Sequence, residues 1–95
     1  MKRPCFFLSA RRRKFAPEFW AYLKQNPEAR VAAILRVEAL EPKFEQQAEA
    51  AGCHITRRLH LLPALAVEGQ AGALLNLAKA AWIKRIETDQ PVHSL

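Results

Sequence analysis

Glycine, serine, cysteine and histidine are all scarce in this chain of 95 residues, and each shortage removes a class of chemistry. The three glycines, Gly52, Gly69 and Gly72, open no phosphate-cradling loop, so nucleotide binding of the P-loop or dinucleotide type is not expected. Ser9 and Ser94 are the only serines, and neither lies on a nucleophile elbow or beside an evident base and its orienting group. Cys5 and Cys53 give neither a CxxC motif nor a disulfide framework. Cys53 reads as a strand residue and Cys5 as part of an N-terminal arm, with a single bridge between them the lesser alternative. Cys53 and His54 are not a nucleophile and base, because adjacent strand side chains point to opposite faces. The histidines His54, His60 and His93 match no zinc spacing and have no acid-rich surroundings. His54 and His60 share strand parity, which leaves a site geometrically open, but surface or partner-contact roles are favoured. No catalytic residue, metal or cofactor is expected, and the chain reads as a non-enzyme. No apolar run is long enough to span a membrane.

What is abundant is positive charge, unevenly placed. The formal net charge is +6. Lys2, Arg3, Arg11, Arg12, Arg13 and Lys14 supply it, whereas residues 15–95 carry nine basic and nine acidic side chains. The basic character belongs to an arm over residues 1–14, expected to be flexible. Such an arm can solubilise the chain, or contact nucleic acid, anionic lipid or an acidic protein surface, with Arg11, Arg12, Arg13 and Lys14 as the electrostatic contacts. Residues 4–10 have the flavour of a secretory signal core, but their apolar stretch is short and Arg11 follows at once. The expectation is a cytoplasmic protein, with a basic targeting arm as the alternative.

At this length a single small domain with a modest core is expected. Residues 15–29 form a short helix and linker. Pro17 suits the first turn and Glu18 its positive dipole end, while Phe19, Trp20 and Leu23 form an apolar stripe and Asn26-Pro27 stops the helix. Residues 30–37 read as a strand with Val31, Ala33, Leu35 and Val37 on one face. Residues 41–51 read as a helix begun by Pro42 and ended by Gly52, with Phe44, Ala48 and Ala51 on one side. Residues 53–62 alternate as a strand, with Ile55, Arg57, Leu59 and Leu61 on one face, and Pro63 then marks a bend or an edge. A short strand follows over 64–68, a turn over Gly69–Gly72, a helix over 73–81 with Leu74, Leu77, Ala78 and Ala81 inward, and a last strand over 82–87. After the first helix the order is β-α-β-β-α-β. This is an α+β domain of the ferredoxin-like split βαβ type, over residues 30–89, with an antiparallel sheet covered on one face by two helices. Its other sheet face is left for water or a partner. Residues 90–95 form an extended tail.

Folds of this kind can bind RNA on the open sheet face, but that use needs exposed aromatic residues for base stacking. The strand over 30–37 has none, nor has that over 64–68, so nucleic-acid binding falls mainly to the basic arm.

Two stretches resemble a known family. Leu61-Leu-Pro-Ala-Leu-Ala-Val-Glu68 and Trp82-Ile-Lys-Arg-Ile-Glu-Thr-Asp89 are similar to the second-to-third strand corner and the final strand with its acidic exit in propeptides of subtilisin-like serine proteases and their stand-alone inhibitor relatives. Residues 30–37 resemble the first strand of that domain, and residues 15–25 a short helix that precedes it in some members. The resemblance covers about residues 16–95. It implies that the sheet face packs on two helices of a protease, with Glu87 and Asp89 capping their N-termini. Carboxylates there meet orphan N–H groups and the positive dipole end. It further implies that Gln90–Leu95 runs along the cleft, with Leu95 in the S1 pocket, Ser94 and His93 next to it, and Val92 in S4. Pro91 would lower the entropy lost when the tail docks.

The resemblance thus implies a non-catalytic protein-binding module, an inhibitor or trans-acting folding chaperone of a subtilisin-like protease. No protease follows Leu95, so a role in trans is expected. A structural or assembly subunit of a larger complex using the same fold is the first alternative, and nucleic-acid binding through the basic arm the second.

Overall fold

The computed structural model describes residues 12–89. The first helix, α1 (Pro17–Gln25), carries Pro17 at its start, Glu18 in its first turn and Lys24 in its last, a charge order that suits the helix dipole. Leu23 is fully buried, and Phe19 and Trp20 pack on the core beside it. Phe15, just ahead of the helix, is buried with its ring tilted against both. Asn26 stops the helix, its backbone and side-chain amides both donating to the Tyr22 carbonyl.

Six further elements follow in the expected order: β1 (Arg30–Val37), α2 (Pro42–Ala50), β2 (His54–Leu59), β3 (Ala64–Gln70), α3 (Ala71–Leu77) and β4 (Ile83–Thr88). The four strands form one sheet in the order β2-β3-β1-β4 with every neighbouring pair antiparallel, the ferredoxin-like arrangement. Alternation along β1 places Val31, Ala33, Leu35 and Val37 in the core under the helices and Arg30, Ala32, Ile34 and Arg36 on the opposite, open face. Across the core Phe44 of α2 stacks on Trp82, ring centroids 4.7 Å apart, while the Trp82 indole N–H donates to Gln47. The indole is buried, and this bond satisfies its polar end.

Three boundaries differ from the pattern in the sequence. The stretch Gly69–Gly72 is not a turn: β3 runs through Gln70 and α3 starts at Ala71 without a loop. The first N–H groups of α3 find ready acceptors, Ala71 donating to the Ala29 carbonyl and Gly72 to that of Pro27. Gly69 serves close approach instead, since a Cβ there would lie 2.9 Å from the Gly52 carbonyl oxygen. Helix α3 is also shorter than its apolar pattern suggests, so Leu74, Leu77 and Ala78 are buried but Ala81 is exposed.

The third difference is in β2, which stops at Leu59 rather than Leu62 and carries a bulge. Ile55 pairs with Val67 and Arg57 with Ala66, leaving Thr56 as the extra residue, its hydroxyl donating to the Ala66 carbonyl. One inserted residue reverses the alternation beyond it. Arg57 and Leu59 therefore align with Ala66 and Ala64 on the open face, while Arg58 falls on the helix side and binds Glu45 of α2. The common face expected for Ile55, Arg57 and Leu59 does not form.

Candidate functional face

The open face of the sheet is small-residue and aliphatic at its centre and charged at its rim. Ala32 and Ile34 of β1, Ala64 and Ala66 of β3 and Leu59 of β2 supply the centre. Register places no aromatic side chain among these positions. Around them lie arginine–carboxylate pairs: Arg30 with Glu68 at 3.6 Å, Arg36 and Arg85 with the same Glu87 oxygen at 3.3 and 3.2 Å, and Arg57 with Asp89 at 3.7 Å.

The two acidic residues singled out at the end of the last strand therefore both belong to this face. Glu87 stands opposite Ile34 in the register. The backbone of Asp89 stays anchored one residue beyond β4, its N–H donating to the Ala32 carbonyl at 3.1 Å. Neither carboxylate is bare, each having an arginine partner. Such half-exposed pairs contribute about 0–1 kcal/mol, so exchanging an arginine for a helix N-terminus costs little.

Val92, His93, Ser94 and Leu95 lie outside the described residues, as do Arg11 and Cys5. Arg12 and Arg13 are exposed. Lys14, grouped with the arm in the sequence, is instead fastened to the domain. Its ammonium donates at 2.8 Å to the carbonyl of Ala78, the C-cap of α3, and at 2.9 Å to that of Ala80 in the loop beyond, and its own carbonyl accepts the Ile86 N–H of β4 at 2.7 Å. Partial burial lowers its pKa from the ordinary lysine value.

Cys53 is a free, buried thiol whose pKa desolvation raises to about 11, so it is neutral and poorly nucleophilic at ordinary pH. Among the described residues no three histidine, cysteine or acidic side chains converge as a metal site, and no helix is long and apolar enough to cross a membrane.

One feature escaped the sequence pattern. At the end of the sheet away from Asp89, Arg36, Lys84 and Arg85 line a groove of about 410 Å³ together with Val37, Leu62 and Pro63. The adjacent Lys84-Arg85 between Ile83 and Ile86 was the available signal, two polar residues in succession where a flat strand shows one.

No family model matches the chain, and no curated protein is similar to it.

Proposed function

We propose that this chain is a non-catalytic binding module of the propeptide type, which docks its open sheet face on a subtilisin-like serine protease as an inhibitor or a folding assistant. The observation that carries the proposal is the exit from β4. Glu87 and Asp89 share the open face, and Asp89 is pinned by its backbone just before residues 90–95 begin. Ala66 is fully buried and Arg57 lies across this part of the face, so a partner helix reaches the short alanine side chains once Arg57 swings away from Asp89, and carboxylates at one side of that surface are suited to helix N-termini. A tail leaving from the same side can enter the adjoining cleft as an added strand, with Val92 in an S4 pocket and Leu95 in S1. The chain then works by occupation and supplies no reacting group.

The test is steady-state inhibition of a panel of subtilisin-like proteases by the full chain and by a chain ending at Asp89. Tight inhibition that is largely lost on truncation supports cleft occupation. Equal inhibition by both chains removes the tail from the mechanism. A folded chain that inhibits none of the panel shifts preference to an assembly subunit using the same face.

A further inference from the structure

We propose that the groove at the far end of the open face is a second binding site, for an acidic peptide segment carrying aliphatic residues. It depends on none of the tail residues, and its test needs no protease.

The site is built by an irregularity in β4. Arg36 pairs with Arg85 but Val37 pairs with Ile83, so Lys84 is an extra residue opposite no partner. The bulge leaves two successive exposed side chains, Lys84 and Arg85, between the buried Ile83 and Ile86. Bulges re-aim side chains in this way, and here two cations from one strand reach the groove in which Arg36 of the neighbouring strand already lies. Arg36 and Arg85 share Glu87, whereas Lys84 forms no ion pair among the described residues.

The opposite wall comes from the turn between β2 and β3. Leu62 and Pro63 line the groove, and Leu61 beside them is 98% exposed, the most exposed large apolar side chain described. Two leucines held out at a turn next to unspent positive charge are poorly accounted for by the folding of this chain, whose core lies across the sheet.

The chemistry of the occupant follows from the balance of charge and shape. Arg36, Lys84 and Arg85 face the carboxylates Glu38 and Glu87, which leaves an excess of one positive charge. A polyphosphate backbone or a densely anionic membrane would be repelled by those two acids, while an isolated glutamate or aspartate side chain can meet Lys84 without displacing either. The groove, of about 410 Å³, is open to solvent, so it suits a few side chains of an extended segment lying across it rather than an enclosed small molecule. Aliphatic residues flanking the acid would cover Leu61 and Leu62.

The test is a titration of the full chain, ¹⁵N-labelled, with a capped Glu-Leu-Glu-Leu-Glu peptide at low salt, followed by amide shifts. The expected result is saturable movement of the Val37, Leu62, Lys84 and Arg85 amides, absent with a Lys-Leu-Lys-Leu-Lys peptide. Lys84→Glu, whose side chain holds nothing else in place, should weaken binding about tenfold or more with the rest of the spectrum unchanged. Leu62→Ser should weaken it severalfold. The proposal is overturned if shifts are confined to the basic residues before Lys14, if Lys84→Glu binds as well as the parent chain, or if phosphatidylserine vesicles or a short RNA move these amides while the acidic peptide does not.

Discussion

The guanidinium of Arg57 meets the carboxylate of Asp89 at 3.7 Å although β2, which carries the arginine, and β4, which Asp89 follows, are the two opposite edges of the sheet. About 14 Å separates edge-strand axes three spacings apart. The arginine reaches over β3 while Asp89, whose backbone is tied to Ala32, reaches back over β1, and the short open-face side chains Ala66 and Ala32 leave room for the pair. The bulge at Thr56 is what turns Arg57 onto this face. An irregularity on one edge thereby sets the charge environment of Asp89 at the other.

If the open face docks on a protease, Asp89 exchanges Arg57 for a helix N-terminus. Asp89→Ala should then weaken inhibition about 2–5-fold, the usual worth of a carboxylate at such a terminus. Arg57→Ala removes only the competing partner, so its inhibition constant should stay equal or fall slightly, with thermal stability changed by no more than about 1 kcal/mol. Inhibition constants for the two variants, read beside their melting curves, check this. An arginine variant that loses more inhibition than the aspartate variant would contradict it.

Gly69 offers a test of the fold. A methyl group there would lie 2.9 Å from the Gly52 carbonyl oxygen and 3.2 Å from the Cys53 Cα, both backbone atoms that cannot rotate away. Gly69→Ala should cost about 1–3 kcal/mol as β3 or the α2–β2 connection shifts. Urea denaturation measures it, and a loss below the error of the midpoint would show that the connection yields freely.

The Glu45–Arg58 pair predicts a dependence on pH. Hydrogen bonds from Arg58 hold the Glu45 pKa below its ordinary value of 4.5, with the charge of Arg58 adding to the effect. A depressed carboxylate pKa means that the pair's contribution is complete above 4.5 and disappears as pH falls through the lower, folded value. The difference in melting temperature between the parent chain and Glu45→Gln should therefore be flat above pH 4.5 and shrink in more acidic solution. Both groups are open to solvent, so added salt should shrink it too.

The regular parts of the fold were legible because their signals are local. Val31, Ala33, Leu35 and Val37 alternate and are buried as alternation requires, and Pro17 and Pro42 mark true helix starts. The bulges were not legible in the same way. Over residues 53–62 the charged Arg57 interrupts the apolar side of the two-residue period, but that reads equally as a solvated strand end, and the extra residue at Thr56 exists only relative to its pairing with β3. Lys14 reads as one more charge in a basic run because its acceptors lie 64 and 66 residues away in the sequence. For the candidate face, Glu87 and Asp89 were singled out by the resemblance of residues 82–89 to a propeptide's final strand and acidic exit, since the strand pattern alone reads them as two solvated acids at a strand end. Their partners Arg36, Arg57 and Arg85 required strand order and register, which are properties of the assembled sheet.

Lys14 can be tested on its own account. Its ammonium meets the carbonyl of Ala78, the C-cap of α3, where the helix dipole is negative and acceptors lack intrahelical donors, and that of Ala80 in the loop beyond it. Lys14→Met keeps the aliphatic stem and removes the donors, and should lower stability by about 1 kcal/mol in urea. Exposed Arg13→Met should change it by less than about 0.5 kcal/mol. Equal effects of the two would show that charge in the basic run, not the specific bonds, is what matters.

Cys53 reports on how tightly the core is held. The thiol is buried, 1% exposed, and its pKa is raised to about 11 by desolvation, so at pH values well below this the reactive thiolate is absent while the chain is folded. In a Cys5→Ser chain, which leaves Cys53 as the single thiol, reaction with an aromatic disulfide reagent at mildly alkaline pH requires opening of the α2–β2 connection. If that opening is global unfolding, the rate should rise with urea along the slope of the equilibrium transition, and Gly69→Ala should accelerate it about 5–150-fold for a loss of about 1–3 kcal/mol. A rate that is insensitive to urea would instead mean that the segment around Cys53 opens locally while the sheet remains intact. The close packing of Gly69 on Gly52 and Cys53 argues for the first outcome, because the connection cannot lift without separating from the central strand β3.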